Sequence, residues 1–248
     1  MELVGHVESL WRYPVKSMRG EELAEVWAGT GGFVGDRRFA FRSSAAPPAT
    51  PYLTSRTQEQ MLRYQPSYPD LAQSTQVQPS TDEELLLDVK TPFGESLSVY
   101  DPRLLRLLGQ GLRSAQTLSL ISSAIALADE YPISLVSMQT VEQLSKEFGS
   151  AVDKRRFRAN IYASFLTSVG FQENSFVGRK LRIGDKVTLY IVKRDPRCKV
   201  ITLDPDTGEA TPELMRHVAA AYGRCVGVYA TVAGEGTIRQ GDPIVVVR

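Results

Sequence analysis

A single cysteine lies where the surrounding charges and turns could support chemistry. Cys198 follows Pro196 and Arg197, precedes Lys199, and is followed by the turn sequence Asp-Pro-Asp-Thr-Gly at residues 204–208. Neighbouring cations favour the thiolate, which is the form of cysteine that binds a metal or attacks an electrophile. The alternative is an inert side chain packed as a small hydrophobe, which is how buried cysteines are commonly used.

The segments around Cys198 are expected to form a hairpin. The apolar run at residues 187–192 predicts a strand, residues 194–196 read as a charged turn, and residues 200–203 predict a second short strand. This would place Cys198 at the mouth of the hairpin. Asp195 is then either a proton donor or a simple turn residue, and aspartate is favoured in turns because it hydrogen-bonds to nearby backbone.

The composition is that of a soluble globular protein. The chain has 248 residues, 42% hydrophobic and 23% charged, which suits one large or two modest domains. A net charge of +1 gives no support for a nucleic-acid partner, although a local cationic pocket could still hold an anion. No apolar run approaches the roughly 18 residues that span a membrane, no signal peptide is evident, and two cysteines favour a reducing compartment. We therefore expect a cytoplasmic protein with no membrane partner.

Two loops are expected to present polar groups to an anion. Lys16, Ser17 and Arg19 follow Pro14, which restricts the backbone before them, so one loop presents two cations and a hydroxyl. Such a loop could bind an anion through charge-assisted hydrogen bonds. Further along, Arg37 or Arg38 precedes an apolar strand. A solvated basic turn is the alternative, because exposed lysine and arginine are the norm.

A further cationic segment leads into an apolar strand at residues 161–165. If the strand includes the preceding residues, Arg158 and Asn160 point to the same face, because side chains alternate along a strand. A guanidinium and an amide on one face suit a phosphate group. Upstream, Ser137 or Thr140 is expected to cap a helix that Gly149 ends.

The predicted elements indicate a mainly β protein with a few helices, an α+β arrangement. Strand patterns are frequent, no βαβ alternation is visible, and a helix with Asp101 as its N-cap is expected over residues 101–113. Residues 181–192 and 238–247 echo each other as a Gly-Asp turn that leads into an apolar strand, which is typical of a β-barrel. The change in character between residues 100 and 120 predicts two domains, 1–115 and 116–248.

Several of these motifs together resemble the MOSC family, the domains related to the C-terminal part of molybdenum cofactor sulfurase and to the amidoxime-reducing enzymes. The resemblance rests on Pro196-Arg197-Cys198 with residues 204–208, on Tyr-Pro-Val-Lys-Ser at 13–17, on Gly-Asp-Arg at 35–37, on Arg-Phe-Arg-Ala-Asn-Ile at 156–161, and on Thr-Ser-Arg at 54–56. Met18 and Ala159 depart from the family pattern, which more often has cysteine and proline there.

The resemblance implies an N-terminal β-barrel domain and a MOSC β-barrel domain with molybdenum cofactor in the cleft between them. It implies that Cys198 is the metal ligand and a catalytic residue, with Asp195 as a second catalytic candidate. The cofactor-binding residues that it implies are Lys16, Ser17, Arg37, Ser137, Arg158, Asn160 and Arg197. It also raises pyridoxal phosphate binding as a family property.

The activity that the resemblance implies is two-electron reduction of an N-hydroxylated small molecule, such as an amidoxime or a hydroxylamine. Electrons are expected from a separate ferredoxin-like or flavin-reductase-like protein, because no flavin, haem or iron–sulfur motif is visible, and the ferredoxin domain of some relatives is expected to be absent. Two alternatives stay open: a molybdenum cofactor carrier without turnover, and metal-free sulfur carriage by Cys198.

Overall fold

Strands dominate the part of the chain that the computed structural model describes, which is residues 2–69, 86–110, 112 and 116–247. The strands, β1 to β16, are Glu2–Arg12, Glu21–Leu23, Glu25–Gly29, Gly32–Phe33, Phe39–Ser43, Gln65–Ser67, Asp88–Lys90, Ser96–Ser98, Leu118–Ser122, Ile133–Ser137, Ile161–Phe165, Lys180–Ile183, Val187–Pro196, Cys225–Gly234, Gly236–Arg239 and Pro243–Val247. The helices, α1 to α3, are Pro102–Gly109, Met138–Phe148 and Pro212–Tyr222. Short 3-10 helices are Glu59–Arg63, Lys154–Phe157, Gln172–Phe176 and Lys199–Thr202.

Seven strands form a closed barrel. Their hydrogen-bonded order is β11, β10, β14, β13, β12, β16 and β1, and β1 returns to β11. All pairs are antiparallel except β10 with β11, which is parallel. The two segments that echo each other in the sequence supply β12, β13 and β16, and β12 pairs with β16. The predicted barrel is therefore confirmed.

Alternating apolar side chains fill the barrel. Leu181 and Ile183 on β12, Leu189 and Ile191 on β13, and Val246 on β16 are all buried in one core cluster. Their spacing of two residues brings them to the inner face, as the pleat of a strand requires. The resulting interior is a packed core, so a ligand must bind at the end of the barrel or beside it.

A smaller lobe packs beside the barrel around its own core. It contains the β5–β9 ribbon, the β6–β7–β8 sheet and α1, and its core includes Val15, Met18 and Phe39. The N-cap prediction for α1 is confirmed, because the Asp101 carboxylate accepts a hydrogen bond from Arg103 N at 2.8 Å. The lobe thus brings the loop around residues 13–18 against the barrel.

Helices α2 and α3 cover one side of the barrel with a third core cluster. Val141 and Leu144 of α2 lie in the same cluster as Leu214 and Val218 of α3. The predicted start and end of α2 are confirmed: Ser137 Oγ accepts from Thr140 N, and Gly149 adopts a φ of +80°. A left-handed glycine is the usual way to end a helix.

The predicted hairpin around Cys198 is wrong. Strand β13 continues through the expected turn as far as Pro196, and residues 200–203 lie in and just after the 3-10 helix Lys199–Thr202. An apolar run of four residues is too short to distinguish a strand from a buried helical turn. Cys198 therefore lies between the end of a barrel strand and a short helix.

The barrel draws its strands from both halves of the chain. Its first strand, β1, comes from the extreme N-terminal segment, while β9 pairs with β5 of the small lobe. The division into two domains at residue 115 stays a prediction. In the structure, strands from either side of residue 115 share sheets. The polar composition of residues 65–81, rich in Gln, Ser and Pro, predicts a loop; the structure has β6 at its start, and residues 70–81 lie outside the described ranges. No helix in the described ranges is long and apolar enough to cross a membrane.

The predicted fold class is confirmed. The described chain consists mainly of strands with a few helices, and it contains a closed β-barrel.

Candidate functional site

A cationic cleft lies where the small lobe meets one end of the barrel. Six cationic residues and two acidic ones line it. The lining residues are Lys16, Ser17, Arg37, Thr54, Ser55, Arg56, Ala128, Asp129, Tyr131, Ser134, Arg156, Phe157, Arg158, Asn160, Asp195, Pro196, Arg197, Cys198, Val200, Ile201 and Tyr229. A chain of nearly neutral net charge therefore holds a local cationic site, as its basic segments predict.

Cys198 is a half-buried free thiol on the wall of this cleft. The two cations beside it in the sequence form ion pairs with carboxylates. Arg197 forms an ion pair with Asp195 at 2.8 Å, and Lys199 forms one with Glu59 at 2.5 Å. The flanking charges are thus compensated, and the cations that remain for a ligand come from elsewhere in the chain.

Left-handed backbone is concentrated at the cleft. Ser17, Arg37 and Arg158 have φ values of 69°, 48° and 51°, and only two other non-glycine residues in the described ranges have positive φ. Such a conformation carries strain of about 1–3 kcal/mol per residue, and it persists where the surroundings impose it, often at binding sites. All three are residues that the family resemblance assigns to cofactor binding.

Lys16 is buried on the cleft wall and has one carboxylate partner. Its Nζ donates to Leu127 O at 2.8 Å and to Asp129 Oδ1 at 2.5 Å. Burial lowers the pKa of Lys16, and Asp129 opposes that shift. The desolvated ammonium retains a third N–H, so it can still donate to an anion in the cleft.

Arg37 ties the small lobe to the barrel. Its guanidinium pairs with buried Asp36, donates to Asn160 Oδ1 at 3.3 Å and donates to Arg158 O at 3.1 Å. Burial lowers the pKa of Arg37, but Asp36, Tyr13 and Asp129 together raise it by more, so the net shift is upward. Arg37 therefore stays cationic at one end of the cleft.

Arg158 carries a charge without a carboxylate partner among the described residues. Its Nη1 donates to Met18 O at 2.7 Å, and its guanidinium lies 4.4 Å from the centroid of the Tyr13 ring. Burial, reinforced by repulsion from Arg37, lowers the pKa of Arg158 to about 10. An anion bound in the cleft would relieve this unfavourable environment, because opposite charge favours the protonated form.

Asn160 lines the cleft, but its side-chain amide is already hydrogen-bonded to other residues of the protein. Its Oδ1 accepts from Ser134 N at 3.2 Å as well as from Arg37, and its Nδ2 donates to Trp11 O at 3.3 Å. The prediction that Arg158 and Asn160 share a strand face is wrong, because Arg158 ends a 3-10 helix and β11 begins only at Ile161. Both residues nevertheless line the cleft, where Arg37 donates to Asn160 Oδ1 and to Arg158 O.

Asp195 is buried in β13, so its reading as a turn residue is wrong. The register of β13 against β14 shifts between Arg194 and Pro196, and this β-bulge contains Asp195. Bulges re-aim side chains, and they are frequent beside active sites. Asp195 Oδ2 accepts from Ser134 Oγ at 2.7 Å and pairs with Arg197 at 2.8 Å.

The protonation of Asp195 is perturbed by its surroundings. Burial raises its pKa, and Arg197, Ser134 and Tyr229 offset only part of that effect. Burial and the charge of Asp195 also raise the pKa of Tyr229. Asp195 and Tyr229 both line the cleft that contains Cys198, so a carboxyl group with a raised pKa stands near the thiol.

Arg197 and Ser137 have structural partners. Arg197 donates to Val226 O at 2.8 Å and to Phe157 O at 2.7 Å in addition to its ion pair, which leaves few donors for a ligand. Ser137 is fully buried, caps α2 and donates to Glu173 Oε2 at 2.8 Å. It does not line the cleft, so among the predicted cofactor-binding residues Ser137 alone is not brought there.

Sequence reasoning missed several lining residues. Asp129, Ser134 and Tyr229 come from a loop and two barrel strands, where no local pattern distinguishes them from structural residues. Ser55 and Arg56 lie in the Thr-Ser-Arg segment that carries part of the resemblance, and the short 3-10 helix Glu59–Arg63 follows that segment. Among the described residues, no group of three or more His, Cys, Asp or Glu side chains could hold a metal ion.

The fold and the cleft define a class of protein: a seven-stranded barrel with a smaller β lobe, joined at a cationic cleft that contains one thiol. Comparison with known proteins assigns the family. The model of the MOSC domain matches residues 122–245, and that of the MOSC N-terminal beta barrel domain matches residues 4–101. The chain therefore belongs to the MOSC domain family.

Curated relatives of the chain include mitochondrial enzymes. Over 133 residues it is 30% identical to the mitochondrial amidoxime reducing component 2 of Rattus norvegicus and 29% identical to the mitochondrial amidoxime-reducing component 1 of Homo sapiens. These matches cover 48% of this chain but only 38% of each relative.

A solved structure supports the fold alone. The YUAD protein from Bacillus subtilis aligns with a TM-score of 0.50 over 98% of this chain and 94% of that one, at 13% identity.

Proposed function

We propose that the cleft binds molybdenum cofactor, with Cys198 as the metal's thiolate ligand, and that the protein reduces N-hydroxylated compounds. The observation that carries this proposal is the convergence of one accessible thiol and the uncompensated cation Arg158 in one cleft. A thiolate is a soft ligand suited to such a metal. A lone thiolate cannot hold a metal ion by itself, so further ligands would have to come from the cofactor.

The residues present fit such a group. Lys16, Ser17, Arg37 and Arg158 would hold the phosphate and pterin through charge-assisted hydrogen bonds. Asn160 and Arg197 would act by positioning, since each side chain is already hydrogen-bonded to two backbone groups. When bound, the molybdenum would supply the two-electron redox chemistry.

The protein would also have to supply protons. Reduction of an amidoxime to an amidine breaks the N–O bond, takes up two electrons and two protons, and releases water. Asp195 is the candidate donor, because burial raises its pKa and its Oδ2 is held by Ser134 and Arg197. The electrons would come from a separate ferredoxin-like or flavin-reductase-like protein. The comparisons give no support for pyridoxal phosphate.

The test is purification from a host that makes molybdenum cofactor, with measurement of molybdenum, oxidised pterin fluorescence and amidoxime reduction by an artificial electron donor. We expect near-stoichiometric metal and pterin in the wild type, loss of metal in Cys198→Ser, and full retention in the matched control Cys225→Ser. Bound cofactor without amidoxime reduction would indicate a protein that binds or carries the cofactor. Full reduction by Cys198→Ser would refute the ligand role, and a reactive thiol without molybdenum or pterin would favour sulfur carriage.

A further inference from the structure

One hydroxyl in the cleft has no partner. Ser55 is fully buried, its Oγ makes no hydrogen bond in the described chain, and it lies on the cleft wall. Buried polar groups are almost always hydrogen-bonded, because leaving one unpaired forfeits its hydration. Ser9, which is equally buried, illustrates the rule: its Oγ donates to Glu8 at 2.7 Å and accepts from Lys154 at 2.9 Å.

The backbone fixes Ser55 in this position. Leu53 N donates to Phe41 O at 2.7 Å, and Thr57 N and Gln58 N both donate to Thr54 O at 2.9 Å. Lys199 Nζ also donates to Arg56 O at 3.2 Å. Because both neighbours of Ser55 are held, its side chain cannot readily leave the cleft wall to find another partner.

Two cations of the same cleft share one carboxylate. Asp129 Oδ1 accepts from Lys16 at 2.5 Å, and Asp129 Oδ2 lies 3.5 Å from a guanidinium nitrogen of Arg56, the residue after Ser55. Both cations therefore reach one carboxylate, which shows that this part of the cleft accommodates oxyanion oxygens. Ser17 lines the same cleft and supplies a second hydroxyl.

We propose that Ser55 Oγ donates a hydrogen bond to an oxyanion oxygen of the cleft's ligand, a phosphate monoester. The inference rests on the proposed function, in which that group is the phosphate of the cofactor. It assigns a ligand contact to Ser55, which the resemblance contains as the middle residue of Thr-Ser-Arg without giving it a role. In the bound state, the ligand's oxygen is the hydrogen-bond acceptor that the Ser55 hydroxyl lacks in the protein alone.

This role gives Ser55→Ala two effects of opposite sign. In the cofactor-free protein the substitution removes an unsatisfied buried hydroxyl, so we expect the melting temperature to rise by about 2–4 °C. In the ligand-bound state it removes a hydrogen bond to a charged group, so we expect phosphate to bind about tenfold to a hundredfold more weakly. A serine with a purely structural role would produce neither the rise nor the loss.

The experiment uses the full chain from a host that cannot make molybdenum cofactor. Thermal unfolding is followed while inorganic phosphate is titrated, with potassium chloride at matched ionic strength as the reference. Ser9→Ala is the matched control: it removes an equally buried but bonded hydroxyl outside the cleft, so it should lower the melting temperature and leave phosphate binding unchanged. The same variants are purified from a competent host for molybdenum and pterin analysis.

The outcomes separate this inference from the proposed function. A lower melting temperature for Ser55→Ala, or unchanged phosphate affinity, would overturn the inference even if the wild type carries molybdenum and pterin. Phosphate binding that depends on Ser55, in a protein that acquires no cofactor in a competent host, would support the anion contact and overturn the proposed function. A rise in melting temperature, weaker phosphate binding and reduced cofactor content together would support both.

Discussion

The buried ion pair between Asp195 and Arg197 allows a quantitative prediction. Arg197→Met keeps much of the side-chain volume but removes bonds to Asp195 at 2.8 Å, to Val226 O at 2.8 Å and to Phe157 O at 2.7 Å. Asp195, only 1% exposed, is left without its cation. Breaking a buried pair lowers the free energy of unfolding by about 3–5 kcal/mol. For a chain of this length the melting temperature should fall by about 6–20 °C.

The loss should grow with pH. Burial raises the pKa of Asp195 above its usual value of 3.8 and Arg197 lowers it, so removing Arg197 raises it further. At pH values between the pKa of Asp195 in the unfolded chain and its higher pKa in the folded variant, folded Asp195 keeps a proton that the unfolded chain has released. Its free energy of unfolding therefore falls as the pH rises through that window. The variant should be closest to the wild type below pH 3.8.

Urea unfolding followed by circular dichroism, at several pH values, measures both effects. The double variant Asp195→Leu/Arg197→Met should be more stable than Arg197→Met at neutral pH, because it leaves no buried unpaired charge. Lys193→Ala, which breaks the exposed pair between Lys193 and Glu130, is the matched control and should leave the unfolding midpoint unchanged. A loss below about 1 kcal/mol for Arg197→Met, or a double variant less stable than the single, would refute the reasoning.

Three further changes test the fold. Gly227→Ala should lower the free energy of unfolding by about 3 kcal/mol or more, measured by urea unfolding, because φ is +76° and a Cβ would lie 2.5 Å from Leu135 O. Gly149→Ala, with φ of +80° and no atom within 4 Å of the added Cβ, should lower it by only about 1 kcal/mol. Glu173→Gln should gain stability relative to the wild type as the pH rises above 4.5. Burial raises the pKa of Glu173, so ionisation of this carboxyl above pH 4.5 favours the unfolded wild type and has no counterpart in the variant. Parallel pH profiles of the two free energies of unfolding would contradict this.

Local signals predicted much of the architecture. The apolar run at residues 187–192 of β13, the Asp101 cap of α1 and the Ser137 and Gly149 boundaries of α2 all depend on residues close together in the sequence. The barrel was predicted from repeated turn-and-strand patterns. The conformation around Cys198 was not predictable in the same way, because the bulge at Asp195 and the short helix after it are set by pairing with β14 and by packing.

The site was predictable only where its residues lie in short motifs. Lys16, Ser17, Arg37, Arg158 and Cys198 each belong to one, and all five line the cleft. The left-handed backbone at three of them has no sequence signal, since none of the three is glycine. Asp129, Ser134 and Tyr229 reach the cleft by tertiary folding alone. The ion pair of Lys199 with Glu59, which is far away in the sequence, likewise depends on the folded chain.

The position of β1 between β11 and β16 has a consequence for the order of assembly during synthesis. Strand β1 pairs with residues 161–165 and 243–246, so the ring can close only after residue 246 has been synthesised. Until then, β1 lacks one or both of its barrel neighbours. A fragment that begins at residue 116 would expose two open sheet edges, on β11 and β16, and such edges recruit other chains. We expect that fragment to aggregate unless a peptide corresponding to residues 2–12 is supplied in trans.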